Sequence, residues 1–193
     1  MNYLAHIHLA HVTQTSLLGN FLGDFVKGSD LQHLPLKLQH GVRLHRAIDT
    51  FTDQHTLVKY LKRQFPISIR RMSGITIDIY FDHLLSLRWQ QYSKHCVHSV
   101  LKQFYRELAN SKVRIDGRFN DVKDGLLSHQ WLHEYAHKEA VNRAFFQIER
   151  RLKHRVEFAQ ESIEFISSAQ EEFDQAFTQF YPALVDYCHD KSG

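Results

Sequence analysis

The sequence has little of several features that would define a specialised class of protein. Only two cysteines and three prolines occur among its 193 residues. Cys96 and Cys188 form no zinc-ligand spacing and no disulfide framework, so we expect reduced thiols and a cytoplasmic location. No run approaches the roughly 20 apolar residues that a membrane span needs. The opening stretch MNYLAHIHLAHV lacks the basic leader of a signal peptide, so we do not expect secretion.

An excess of charge of one sign is also absent. The 24 Lys and Arg against 21 Asp and Glu leave a net charge of +3. Without blocks of basic residues, the chain does not have the pattern of a nucleic-acid-binding tail. The mild basic surplus suits an acidic partner. Apolar residues make up 43%, and 14 Phe and 8 Tyr provide bulk for a core. These figures predict one globular domain over residues 1–193.

Helical periodicity dominates the chain. The stretch GITIDIY alternates as a strand would, but its flanks continue at helical spacing. The glycine-containing stretch 110–125 is the best loop candidate, and the three prolines are expected to punctuate helices. We predict an all-α fold, a single compact multi-helix domain. The predicted helical segments are Leu36–Asp53, Thr56–Phe65, Ile69–Tyr92, Val97–Leu108, Leu126–Tyr135, Glu139–Arg155 and Ser162–Tyr187, the last with an apolar residue every three or four positions.

Polar clusters interrupt the apolar pattern at four places. They are His6 with His8, Asp24, the group His45, Arg46, Asp49 and Asp53, and the group Asp78, Asp82 and His83. Imidazole and carboxylate together can hold a first-row divalent metal at an open site. Residues four apart share a helix face, so His45 and Asp49 form one pair and Asp78 and Asp82 another. If their helices pack antiparallel, the two groups could meet and activate water against a phosphate.

Each cluster also has an ordinary structural interpretation. His6 and His8 diverge by about 200° around a helix, so we expect one of them at a site rather than both. The alternatives for the acids are a pair of Asp24 with Lys27, a surface pair of Asp49 with Arg46, and Asp53 as the cap of the next helix.

Basic residues flank the turn at Pro66. They are Lys59, Lys62, Arg63, Arg70 and Arg71, and a second run comprises Arg143, Arg150, Arg151, Lys153 and Arg155. A solvated helix face is the ordinary interpretation of both. The functional interpretation is a docking patch for an acidic partner, whose complementary charge would speed encounter.

Five blocks of sequence carry a family resemblance. MNYLAHIHLA, GNFLGDFVKG, GVRLHRAIDTFTD, ITIDIYFDHLLSLRW and QFYPALV together resemble the bacterial acyl carrier protein phosphodiesterase family. The resemblance implies a helical fold distantly related to HD-type metal phosphohydrolases. It also implies an Mn²⁺-dependent enzyme, with Mg²⁺ or another divalent metal as alternatives, that removes 4′-phosphopantetheine from holo acyl carrier protein. The chain departs from the family pattern at Gly23, where we expect Ala, and at Phe81, where we expect Trp.

The residue chemistry and the resemblance together nominate a site. The expected metal residues are Asp24, His45, Asp49, Asp82 and His83, with His6 as a further candidate. Asp24 could instead orient or deprotonate water, Arg46 could bind phosphate, and His8 or His83 could protonate the leaving serine oxygen. We expect the acidic carrier to dock near Arg63, Arg70 and Arg71, and we expect no nucleic acid or membrane partner. Two alternatives stay open: an HD-like phosphohydrolase of a nucleotide or other small phosphoester, and a non-catalytic helical binding module.

Overall fold

The fold is helical throughout the residues that the computed structural model describes, which are 1–115, 117–153 and 155–192; no strand occurs in these ranges. Short 3₁₀ helices form at Arg70–Met72 and Trp131–Ala136. The α-helices are α1 (Tyr3–Val12), α2 (Leu17–Leu22), α3 (Leu36–Gln54), α4 (Thr56–Gln64), α5 (Ser73–Leu87), α6 (Trp89–Tyr92), α7 (Val97–Asn110), α8 (Phe119–His129), α9 (Lys138–Arg151), α10 (Ala159–Ser168) and α11 (Gln170–Ser192). The all-α prediction is confirmed. None of the helices in the described ranges is long and apolar enough to cross a membrane.

Helix α1 lies at the centre of the molecule. Every residue from Leu4 to Ala10 is buried, so the helix shows no polar face. It packs against α2, α3, α5, α7 and α11. A short helix that is covered on all sides must place its polar side chains among partners, because burying them unpaired is costly. His6 and His8 are therefore held in the interior.

Two glycines bring α2 and α3 into close contact. A Cβ atom at Gly19 would lie 2.8 Å from the Leu38 carbonyl oxygen, and one at Gly41 would lie 2.5 Å from the Gly19 carbonyl carbon. Both distances are closer than real Cβ contacts, so this approach of the two backbones requires glycine at both positions. The contact sets Gly23, just after α2, directly beside His45 of α3, and it brings Asn20 against Gly41.

The long apolar stripe near the end of the chain faces the core, as predicted. Phe173, Phe177, Phe180 and Leu184 of α11 are all fully buried. The segment GITIDIY is helical within α5, which confirms the choice of helix over strand.

Several predicted boundaries were wrong. The helix predicted over Ile69–Tyr92 is divided into a 3₁₀ helix, α5 and α6, and the one predicted over Leu126–Tyr135 changes from α8 to a 3₁₀ helix. Helix α8 begins at Phe119, inside the expected loop, because that ring is buried against Phe25. The helix predicted over Ser162–Tyr187 is interrupted at Ala169, which ends α10. Pro182 lies within α11, as the helix predicted over Ser162–Tyr187 had it, although prolines were expected to punctuate helices. Helix α11 continues there because buried side chains on both sides of the proline anchor it in the core.

Candidate metal centre

Three side chains that offer possible metal-ligand atoms converge where α1 packs against α3. Asp49 lies one turn after His45 on α3, and His6 approaches from α1. The His6 Nε2 atom is 3.2 Å from Asp49 Oδ1, and the His45 Nε2 atom is 3.1 Å from Asp49 Oδ2. The two imidazole rings stack with centroids 3.9 Å apart. Among the described residues, this is the only group of three His, Cys, Asp or Glu side chains whose ligand atoms all lie within 4.8 Å of one another.

Asn20 sets the orientation of the His6 ring. Its Oδ1 atom lies 2.8 Å from His6 Nδ1, and both side chains are buried. With the Nδ1 proton donated to Asn20, the Nε2 lone pair of His6 points at the Asp49 carboxylate. A cation bound by both atoms would stabilise this close approach of 3.2 Å. Metal-binding histidines have this arrangement, in which the second ring nitrogen donates to a protein oxygen.

Charge at the group favours a neutral imidazole beside an ionised carboxylate. Burial lowers the pKa of His6 to about 4, and repulsion from His45 acts in the same direction. Burial alone would raise the pKa of Asp49, but the adjacent His45 and His6 side chains outweigh it and hold the pKa well below its usual range. A neutral nitrogen donor and an anionic oxygen donor are the forms that bind a divalent metal. The donor set therefore fits such an ion.

The α-ammonium of Met1 lies beside this group. It is 3.2 Å from Asp78 Oδ1 and 3.7 Å from Asp49 Oδ1. Burial raises the pKa of Asp78, and the Met1 ammonium and Lys62 oppose that rise. The ammonium thus links the Asp78 carboxylate of α5 to the carboxylate of the candidate centre.

Asp24 lies at the outer edge of the group. Its Oδ1 atom is 4.0 Å from His45 Nε2, and its Oδ2 atom accepts a hydrogen bond of 3.1 Å from Arg118. Arg118 is therefore its partner, rather than Lys27. The same guanidinium donates to the Tyr3 hydroxyl at 3.2 Å and lies 5.4 Å from the centroid of the Phe25 ring. Asp24 stays about one-third exposed, which leaves it accessible from solvent.

The structure does not bring Asp82 and His83 into the group. Asp82 is fully buried and accepts hydrogen bonds of 2.9 Å from the backbone amides of Leu4 and Ala5. Burial raises its pKa to about 7, and those amides moderate the rise. His83 Nδ1 lies 2.7 Å from the Tyr135 carbonyl oxygen. The two polar clusters meet only through Asp78, by way of the Met1 ammonium. The expected placement of Asp82 and His83 in the group was wrong because α1 packs against both α3 and α5, so the Asp82 carboxylate meets the first turn of α1 instead.

Arg46, His8 and Asp53 also point elsewhere. Arg46 donates to the Val26 and Gly28 carbonyl oxygens at 3.0 and 2.7 Å, so it secures the loop after α2. His8 projects from a different side of α1 than His6, and its Nδ1 atom forms a hydrogen bond of 2.8 Å with the Tyr181 hydroxyl. Asp53 pairs with Lys62, and His55 caps α4 in its place.

Sequence reasoning missed Asn20 and Arg118, and it undervalued Gly23. A Cβ atom at Gly23 would lie 2.2 Å from His45 Cγ. The departure from the family pattern at Gly23 therefore affects the space around the His45 ring. The spacing of Asn20 and Asp24 by one helical turn was a usable signal. Arg118 lies 94 residues from Asp24 in the chain, and no local pattern connects them.

Comparisons with known proteins place the chain among described relatives. The family described as acyl carrier protein phosphodiesterase matches residues 1–184. The chain is 34% identical to the acyl carrier protein phosphodiesterase of Enterobacter sp. (strain 638), with 96% of each chain covered. It is 32% identical to the protein of the same name from Klebsiella pneumoniae, with 99% of each chain covered. No solved structure matches.

Proposed function

Because this chain belongs to the acyl carrier protein phosphodiesterase family, we propose that it hydrolyses the phosphodiester joining 4′-phosphopantetheine to a serine of holo acyl carrier protein. The products are apo acyl carrier protein and 4′-phosphopantetheine. The match over residues 1–184 carries the choice of substrate. The convergence of His6, His45 and Asp49 supports a hydrolytic centre in the same chain. We propose the cytoplasm as its compartment.

We further infer that the centre holds a divalent metal, with Mn²⁺ the first candidate and Mg²⁺ or another divalent ion as alternatives. His6 Nε2, His45 Nε2 and the Asp49 carboxylate would hold it, and Asp24 offers a further oxygen on the open side. When bound, such an ion would polarise the phosphate and lower the pKa of a water molecule. The relation to HD-type phosphohydrolases stays a prediction.

The remaining polar residues orient the centre and its substrate. Asp24 is exposed enough to hold an attacking water, and its hydrogen bond to Arg118 fixes the carboxylate. Arg118 is nearly half exposed, and it is better suited than Arg46 to contact a phosphate oxygen. His8 is unsuited to donating a proton to the leaving serine, because it is fully buried against Tyr181. Asp82 supports the centre indirectly by holding the first turn of α1, which carries His6.

The basic surface around Pro66 is our proposed docking site for the acidic carrier. Arg63, Arg70 and Arg71 are all exposed there, and Ile67 between them is 85% exposed. An exposed apolar side chain with cations before and after it in the chain suits an acidic partner with an apolar contact at its centre. Lys62 of this surface also interacts with carboxylates near the centre. It donates a hydrogen bond to Asp53, and its positive charge opposes the rise in the pKa of Asp78.

A direct competition tests the choice of substrate. The protein would be incubated with Mn²⁺, holo acyl carrier protein and a panel of nucleotides, and all products would be quantified. We expect release of 4′-phosphopantetheine with the nucleotides intact. Asp49→Asn should remove most of this activity, whereas Asp186→Asn at an exposed site on α11 should retain it. Cleavage of a nucleotide with the carrier left in its holo form would favour the HD-like alternative and overturn the proposal.

A further inference from the structure

A cleft lies beside the candidate metal centre, and none of its lining residues belongs to that centre. Its volume is about 440 Å³, within the usual range for small-molecule sites. The loop after α2 forms one wall, and Arg114, Ile115 and Gly117 form the other. The main lining residues are Phe25, Val26, Lys27, His33, Arg114 and Ile115.

The cleft lies beside the centre, because Phe25, which lines the cleft, directly follows Asp24 in the chain. Arg118 joins the two regions, because one guanidinium both hydrogen-bonds Asp24 and lies over the Phe25 ring. The other oxygen of Asp24 is 4.0 Å from His45 Nε2. A ligand whose phosphate lies at the centre could therefore extend past Arg118 into the cleft.

The wall after α2 is held in place by protein contacts alone. Arg46 bonds the carbonyl oxygens of Val26 and Gly28, which fixes the loop from behind. The Phe25 ring packs against Phe21 and Phe119, with centroids 5.1 and 5.3 Å away. A preformed wall reduces the ordering cost that a ligand must overcome. This gives Arg46 a role different from phosphate binding.

The lining combines apolar surface with hydrogen-bond donors. Phe25, Val26 and Ile115 supply the apolar part, while Lys27 and Arg114 supply donors. Apolar surface beside the Lys27 and Arg114 donors suits a chain that carries amide carbonyls and a branched apolar unit, linked at one end to a phosphate. We propose that the cleft binds the pantetheine arm of the carrier's prosthetic group, an inference that rests on the proposed function.

The test fills the cleft and compares two substrates. Ile115→Trp would add bulk beside Phe25, and Leu87→Trp, at an exposed site on α5, is the matched control. For each protein, kcat/KM would be measured with holo acyl carrier protein and with an aryl phosphodiester that has no pantetheine arm. We expect the ratio of the two constants to fall at least tenfold in Ile115→Trp and to stay within twofold of wild type in Leu87→Trp.

A second variant and a second measurement guard against misfolding. Arg114→Ala removes an exposed donor without adding bulk, and it should lower the same ratio about threefold or more. Pantetheine itself, which lacks the phosphate, should inhibit wild type, and its inhibition constant should rise at least fivefold in either variant. Ratios and inhibition constants unchanged in both folded variants would overturn the cleft proposal while leaving the proposed function intact. A wild-type protein that leaves holo carrier uncleaved would overturn the proposed function and this inference with it.

Discussion

Replacement of Asn20 by leucine tests how the centre is organised. The Asn20 Oδ1 atom accepts the His6 Nδ1 proton at 2.8 Å, and both groups are fully buried, so water cannot substitute. Leucine has a similar volume but offers no acceptor, which leaves His6 without a preferred tautomer. Losing such a partner usually weakens metal binding by about 10- to 100-fold. At about 1.4 kcal/mol per factor of ten, the expected cost is about 1.4–2.7 kcal/mol.

Titration calorimetry with Mn²⁺ on the folded protein would measure this loss. Asn20→Asp keeps an acceptor oxygen and should retain more affinity than Asn20→Leu. Asn120→Leu makes the same exchange at an exposed site on α8 and should leave the affinity unchanged. If Asn20→Leu binds Mn²⁺ as tightly as wild type, then the hydrogen bond does not orient a metal ligand and the reasoning fails.

Three further predictions follow from particular contacts. Gly23→Ala should weaken Mn²⁺ affinity, since its Cβ would require the His45 ring to move; unchanged affinity in calorimetry would contradict that packing. Burial lowers the pKa of His8 to about 3. Below pH 6.5 the unfolded chain therefore binds a proton at His8 that the folded chain does not, and the free energy of unfolding decreases as the pH is lowered. This should cost about 2 kcal/mol between pH 7 and pH 5. Urea denaturation of His8→Leu should lack that part of the decrease, and an identical decrease would refute the assignment. Charge reversal of Arg70 and Arg71 together should raise KM for the carrier at low salt, and it should raise KM less at high salt. Arg106→Glu on α7 is the control. An unchanged KM at low salt would count against the docking surface.

Local pattern was sufficient to predict most of the fold. The apolar periodicity identified α3, α4, α7 and α11, because each buries one face against the rest of the molecule. It was less informative for α8, whose start depends on the burial of Phe119 against a ring nearly a hundred residues away.

The candidate site was predictable only where its members share a helix. The pairing of His45 with Asp49 follows from their spacing on α3. Whether Asp82 reaches them depends on which helix lies between, and α1 intervenes there. The contribution of Asn20 depends on the close approach of α2 and α3, which is a property of packing and not of spacing.

Hydrolysis at phosphorus is the central claim, and oxygen-18 water tests it most directly. Holo acyl carrier protein, Mn²⁺ and the protein would be incubated in labelled water, and both products would be weighed by mass spectrometry. Attack of water on phosphorus predicts one labelled oxygen in 4′-phosphopantetheine and an unlabelled serine in the apo carrier. Label in the carrier serine, or a carrier that keeps its prosthetic group, would contradict the account.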